Sequence, residues 1–163
     1  MSSIKEQENV YRLYINEHID NIKRAWNIMK VKCKDILIAE NIDIEQLEEN
    51  VENHDLSKFT DEEFNAYRRH FYPSEEDKEV DKDEFNKAWV HHYTNNPHHW
   101  DYWVGKIQDM TPIYVAEMTL DWIAMGMKFN NSALDYYNKN KNAISISKKT
   151  ETLFFKLINK YYN

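Results

Sequence analysis

Asn53-His54-Asp55-Leu56-Ser57-Lys58-Phe59 sets an imidazole, a carboxylate and an ammonium within five residues. Successive residues of an α-helix project about 100° apart, so a neighbouring His and Asp meet at one ion only where a helix ends and the backbone turns. Thr60 and Glu63, just downstream, have the spacing of a capping box, which predicts a new helix starting just after Lys58 and running over Asp61 to about His70. A divalent metal accepts both a neutral imidazole and a carboxylate as ligands. The stretch therefore reads as a joint between helices that carries chemistry.

Working outward, the chain is rich in helix formers and poor in breakers, with two glycines and three prolines among 163 residues. With 42% hydrophobic and 14% aromatic residues it can bury a core, and the composition favours helices over a turn-rich β fold. The expected fold class is all-α. A chain of this length defaults to a single domain over 1–163, with 127–163 expected as C-terminal helices packing on it. The net charge of −7, without a long basic run, argues against broad nucleic-acid binding. A lone cysteine, Cys33, excludes an internal disulfide and a cysteine-based zinc site, and reads as a small buried residue on a helix face. The first residues, Met1-Ser2-Ser3-Ile4-Lys5-Glu6, have no apolar signal region and no apolar run reaches membrane-span length. A soluble cytoplasmic protein is expected.

Upstream of the joint, apolar residues recur at helical spacing through Tyr11, Tyr14, Ile15, Ile22, Ala25, Trp26, Met29, Cys33, Ile36 and Leu37, predicting helix from about Ile4 to Ala39 with a possible break. Asp43 should cap a short helix over Ile44 to Val51 that delivers His54. Downstream, Phe64 and Tyr67 can face a core while Arg68 and Arg69 face solvent, and Tyr72-Pro73-Ser74-Glu75-Glu76-Asp77 reads as a solvated acidic loop. Helix is expected again from about Lys78 or Asp81 into His91-His92, ended by Asn95-Asn96-Pro97. Thr111 should cap, with Pro112 at the first helical position, an apolar helix running to about Gly126. A short helix through Tyr137 and an amphipathic one from Ser147 to Tyr161 complete the chain.

Six of the seven histidines fall at unusual places; His70, beside Phe71 at a helix end, reads as structural. His18 lies on the apolar stripe of the first helix. His91-His92 and His98-His99 form two doublets across a proline turn, which can fold one ring of each toward a common point. The helix Ile113 to Met125 is apolar nearly all round yet carries Glu117 and Asp121, one turn apart on a shared face. A buried carboxylate needs a cation, either a side chain such as Arg24 or a metal.

In the order His18, His54-Asp55, the His doublets and Asp121, the chain resembles the HD superfamily of metal-dependent phosphohydrolases, whose signature is H, HD and D spread over several helices of an all-α bundle. The resemblance spans roughly Tyr11 to Gly126. His54-Asp55-Leu56-Ser57-Lys58 looks like the HD-x-G-K element of the HD-GYP phosphodiesterases, with Ser57 in place of Gly; the HHE and GYP elements are absent, since Tyr93 follows His91-His92 and the later segment reads NPHHW. It looks closer to small HD-like proteins carrying HDxSKF, AWxHH, NPHHWxYW and DW segments.

The resemblance implies an HD-like bundle in which His18, His54, Asp55 and Asp121 hold one divalent ion. One or two of His91, His92, His98 and His99 would serve a second ion or the phosphate. The metal, one or two ions of Mn, Fe, Co, Ni, Zn or Mg, would lower the pKa of bound water toward ~7 for attack on phosphorus. Lys58 would stabilise the phosphoryl charge, and His98 or His99 would protonate the leaving oxygen. The expected substrate is a nucleotide or another small phosphate ester. The resemblance also admits two rivals: a di-iron HD-fold oxygenase, and a metal-stabilised scaffold that binds a ligand without turnover.

Overall fold

The computed structural model describes residues 2–77 and 81–163. Among the described residues all regular structure is helical, with eight α-helices and two 3-10 turns. The helices are α1 (Ile4–Lys32), α2 (Lys34–Ala39), α3 (Ile44–Glu52), α4 (Phe64–Phe71), α5 (Lys82–Asn95), α6 (Pro112–Phe129), α7 (Ala133–Asn140) and α8 (Lys148–Tyr162). The fold is all-α, as composition and periodicity predict. None of the described helices is long and apolar enough to cross a membrane. The chain divides into two compact units, one formed by Met1–Glu17 and Asp55–Asn96, the other by His18–His54 and Pro97–Asn163. They are called unit 1 and unit 2 below.

Unit 1 contains the first half of α1, a 3-10 turn over Leu56–Phe59, α4 and α5. Its core is aromatic: Tyr11 packs on Phe64 with ring centroids 5.2 Å apart and on Tyr72 at 5.7 Å, and Tyr67 meets Phe85 edge-on at 5.6 Å. His70 stacks on Phe85 at 4.0 Å, a structural role.

Three expectations fail in unit 1. The predicted capping box does not form, and α4 starts at Phe64, later than just after Lys58. The Thr60 hydroxyl instead donates to the Ser57 carbonyl at 2.6 Å, and the Glu63 carboxylate is taken by two imidazoles. Arg68, expected in solvent, is buried and forms a two-pronged ion pair with Asp77, whose side chain is buried as well. The acidic loop is therefore not solvated throughout. Asp77 also accepts from the Ser74 backbone and hydroxyl, and the Arg68 guanidinium holds its carboxyl well below the usual range. Of the two starts expected for the next helix, Asp81 caps α5 by accepting from the Asp83 amide at 3.0 Å, while Lys78 lies outside the described residues.

Unit 2 is built on α6, whose apolar circumference buries Val115, Ala116, Met118, Leu120, Trp122, Ile123 and Ala124 against α3, α7 and α8. Burying each large apolar side chain contributes about 1.5–3 kcal/mol, so this helix anchors the unit. The long first helix, which the sequence left free to bend or break, is interrupted at Cys33, which is buried and points its thiol at the Leu157 carbonyl, 3.6 Å away. Of the expected caps, Asp43 accepts from Gln46, Ser147 accepts from Thr150, and Ser132 forms a reciprocal capping box with Asp135, whereas Thr111 precedes α6 without a side-chain cap hydrogen bond and leaves the start to Pro112. α6 runs one turn past Gly126 to Phe129 and ends on Asn130, which has φ +59°. A Cβ at Gly126 would stand 2.4 Å from the Asn131 carbonyl oxygen, so glycine is what allows the returning chain to fold so closely.

Candidate metal centre

In unit 2, five ionisable side chains from four parts of the chain converge within the apolar core. α1 supplies His18. His54 follows the C-terminus of α3, where the Asn53 and His54 amides close the last turn on Glu49 and Val51. His98 sits in the turn after Pro97, and the Trp103 indole N–H donates to the Pro97 carbonyl at 2.7 Å, which pins that turn. α6 supplies Glu117 and Asp121, one helical turn apart, so both carboxylates leave the same face.

The Asp121 carboxylate is approached by three imidazoles through their Nε2 atoms. His18 lies 2.9 Å from Oδ1, His54 3.7 Å from Oδ1, and His98 3.8 Å from Oδ2. On the opposite edge of two of these rings, Nδ1 of His54 lies 2.9 Å and Nδ1 of His98 3.1 Å from Oε1 of Glu117. The His54 and His98 rings stack with centroids 4.2 Å apart. All five residues are buried.

Burial by itself would raise both carboxyl pKa values. For Asp121 the hydrogen bond of His18 and the nearby His18 and His54 rings outweigh it and hold the group well below the usual range. For Glu117 the charge of His98 and the hydrogen bonds of His54 and His98 bring it down to about 2. Two buried carboxylates that stay ionised need positive charge nearby. The three histidines can supply it by protonation, or a divalent cation can supply it while the imidazoles stay neutral. The spacing accommodates either arrangement: His18 stands at hydrogen-bond distance from Asp121, while 3.7 and 3.8 Å are separations that ligand atoms about 2.1 Å from one ion also take. His18, His54 and Asp121 each present a ligand atom within 4.8 Å of the others, as do His54, His98 and Glu117. These buried groups can hold a metal ion.

Unit 1 carries a second constellation. Asp55 has φ +58°, so the backbone turns at the His-Asp pair as the sequence requires, and its carboxylate lies 2.8 Å from the Lys58 ammonium and 3.3 Å from His92 Nε2. Glu63, fully buried, lies 2.7 Å from His91 Nδ1 through one oxygen and 2.8 Å from His92 Nδ1 through the other. His92 is buried, which would lower its pKa, yet Asp55 and Glu63 raise it; Glu63 is lowered by the same histidines against its own desolvation.

The predicted residues therefore divide. His18, His54, His98 and Asp121 lie together in unit 2, with the half-buried His99 ring tilted against His98 at 4.3 Å. Asp55, Lys58, His91 and His92 lie in unit 1. Within unit 2, His98 shares its surroundings with the residues expected to bind metal rather than standing apart as a proton donor. Two glutamates were absent from the expected set. Glu117 carried a sequence signal, a carboxylate on an apolar helix, but Arg24, named as its alternative partner, turns to Asn21 at 3.3 Å. Glu63 carried a misleading one, since its spacing from Thr60 suited a cap.

The fold and these groups define an all-α protein with a buried histidine–carboxylate cluster suited to a metal ion. The chain belongs to the family described as "Family of unknown function (DUF5662)", whose model matches residues 7–160. Among curated proteins and among solved structures, none matches the chain.

Proposed function

We propose that this protein is a metal-dependent hydrolase of a nucleotide or other small phosphate ester, with its divalent cation held in unit 2 by His18, His54, His98 and Asp121. The observation that carries the reading is the approach of three imidazole Nε2 atoms to one buried carboxylate. When bound, such a cation lowers the pKa of water and polarises a phosphoryl oxygen. The donor set, rich in nitrogen, suits Mn, Fe, Co, Ni or Zn better than Mg, which prefers oxygen ligands.

The chain's own residues supply the rest. Asp121 balances the charge in the cluster. Glu117 accepts hydrogen bonds from His54 and His98. His99, half-buried beside His98, is the histidine of the second doublet that could donate a proton to a leaving oxygen. Lys58, which the HD resemblance would give to the phosphate, lies in unit 1 with its ammonium matched by Asp55 at 2.8 Å, and no role in the unit 2 cluster is assigned to it.

The test is metal analysis of protein purified without chelator, followed by a phosphate-ester panel with each candidate ion. Turnover that depends on the metal and disappears in His54→Ala supports the reading. A stoichiometric metal with no turnover on the panel overturns it in favour of a metal-stabilised protein, a reading that the burial of His54 and Glu117 favours. In that case a chelator should lower the melting temperature sharply.

A further inference from the structure

Glu117 is placed to decide which nitrogen of two histidines is available to a cation. A neutral imidazole carries one N–H, and the partner of one nitrogen determines whether the other is a donor or a lone pair. An ionised carboxylate is an acceptor only, so the nitrogens that face it carry the protons. Both rings turn the same atom, Nδ1, to the same oxygen, Oε1 of Glu117, at 2.9 Å for His54 and 3.1 Å for His98. Their Nε2 atoms lie on the side of Asp121, 3.7 and 3.8 Å from its carboxylate and beyond hydrogen-bond distance, where an ion between them would take the lone pairs.

We propose that Glu117 is a positioning residue that holds His54 and His98 in the Nδ1–H form, so that both offer Nε2 to one cation. The proposal rests on the reading that the unit 2 cluster binds a metal, and it assigns Glu117 a place outside the ligand set.

Glu117 is itself held in position. Its backbone lies in the middle of α6, and its second oxygen, Oε2, accepts from the Asn50 side-chain amide at 3.2 Å. Asn50 is oriented in turn by the Gln46 amide, which donates to its Oδ1 at 3.1 Å. A hydrogen-bonded line thus runs from α3 to the carboxylate and on to the two stacked rings. With Oε2 committed to Asn50 and Oε1 shared by two N–H groups, the carboxylate faces the ring edges opposite Asp121. Carboxylates that accept from the outer nitrogen of a ligating histidine orient the ring and raise its basicity, and their loss weakens metal affinity by about 10–100-fold.

The test has two parts. Nitrogen NMR of the metal-free protein near pH 8 reads the protonated nitrogen of each ring, and titration with Zn or Mn ions alone reads affinity. In the wild type, His54 and His98 should both be protonated at Nδ1. Glu117→Gln retains a carbonyl acceptor and should keep that form with most of the affinity. Glu117→Ala should lose the preference and bind the ion about 10–100-fold more weakly. A bare Nδ1 on either ring in the wild type overturns the proposal. So does a Glu117→Gln protein that loses the ion as completely as His54→Ala, because Glu117 would then be a ligand. If the wild type binds no ion at all, the functional reading fails, while the NMR spectrum still decides the role of Glu117.

Discussion

The two histidine clusters use the same device to different ends. In each unit a buried glutamate receives Nδ1 of two imidazoles, but Glu63 spans His91 and His92 with both oxygens, whereas Glu117 gathers His54 and His98 on one. His91 and His92 are neighbours on α5 and diverge by about 100°, so a carboxylate must use both oxygens to reach them. His54 and His98 come from separate segments and can stack, so one oxygen suffices. The other edges differ more. His92 meets Asp55 at 3.3 Å, an imidazole between two carboxylates that favours its charged form. His54 and His98 approach Asp121 at 3.7 and 3.8 Å, beyond a normal hydrogen bond and suited to ligands around an ion. Similar residue types thus form a glutamate-bridged imidazole pair in unit 1 and a buried cluster that can hold a metal ion in unit 2.

The largest effects should come from unit 2. His54→Ala and Asp121→Ala are each expected to strip the metal and reduce phosphate-ester turnover by more than ~100-fold, read by metal analysis and initial rates. His92→Ala is the control: an equal loss of metal would break the comparison.

Stability measurements in urea should sharpen it from the other side. Arg68→Ala leaves the Asp77 carboxylate with only its Ser74 donors and should cost about 3 kcal/mol. Glu63→Ala leaves two Nδ1 donors without their acceptor and should cost about 2–3 kcal/mol, with less lost in Glu63→Gln.

The pH dependence of the metal-free protein should separate His92 of unit 1 from Glu117 of unit 2 by sign. His92 has a raised pKa in the folded state, so its contribution is complete below the unfolded value of about 6.5 and is lost as pH rises through the folded one. Glu117 is lowered to about 2, so its contribution is complete above about 4.3 and is lost as pH falls toward 2. Removing His92 should flatten the alkaline limb, and Glu117→Gln the acid limb. An unchanged pair of limbs would break the assignment of charge to the two clusters. The smallest effect is expected at the exposed Lys23–Glu52 pair of unit 2, where Lys23→Ala should change stability by less than ~0.5 kcal/mol.

Much of the helical order was legible because its signals are local. Asp43, Ser132 and Ser147 cap the helices they precede, Pro112 opens α6, and the apolar stripe of the first helix faces the core. Asp121 was legible for the same kind of reason, as a carboxylate on a helix with no polar face to spare. The errors arose where a local rule competed with a distant partner: Glu63 satisfied cap spacing but found two imidazoles on α5, and Arg68 resembled a surface residue until Asp77 folded back to it.

The sequence by itself determined the helical class, most of the helix starts, and the presence of imidazoles and carboxylates that an apolar core tolerates only in company. The tertiary structure alone decided the company: that His98 joins His18 and His54 around Asp121, that one oxygen of Glu117 serves two rings, and that Asp55 is matched by Lys58 and His92. The reason is physical. Caps and periodicity act over one or two helical turns and are written in neighbouring residues, whereas the partner of a buried charge is whichever group packing brings within a few ångströms.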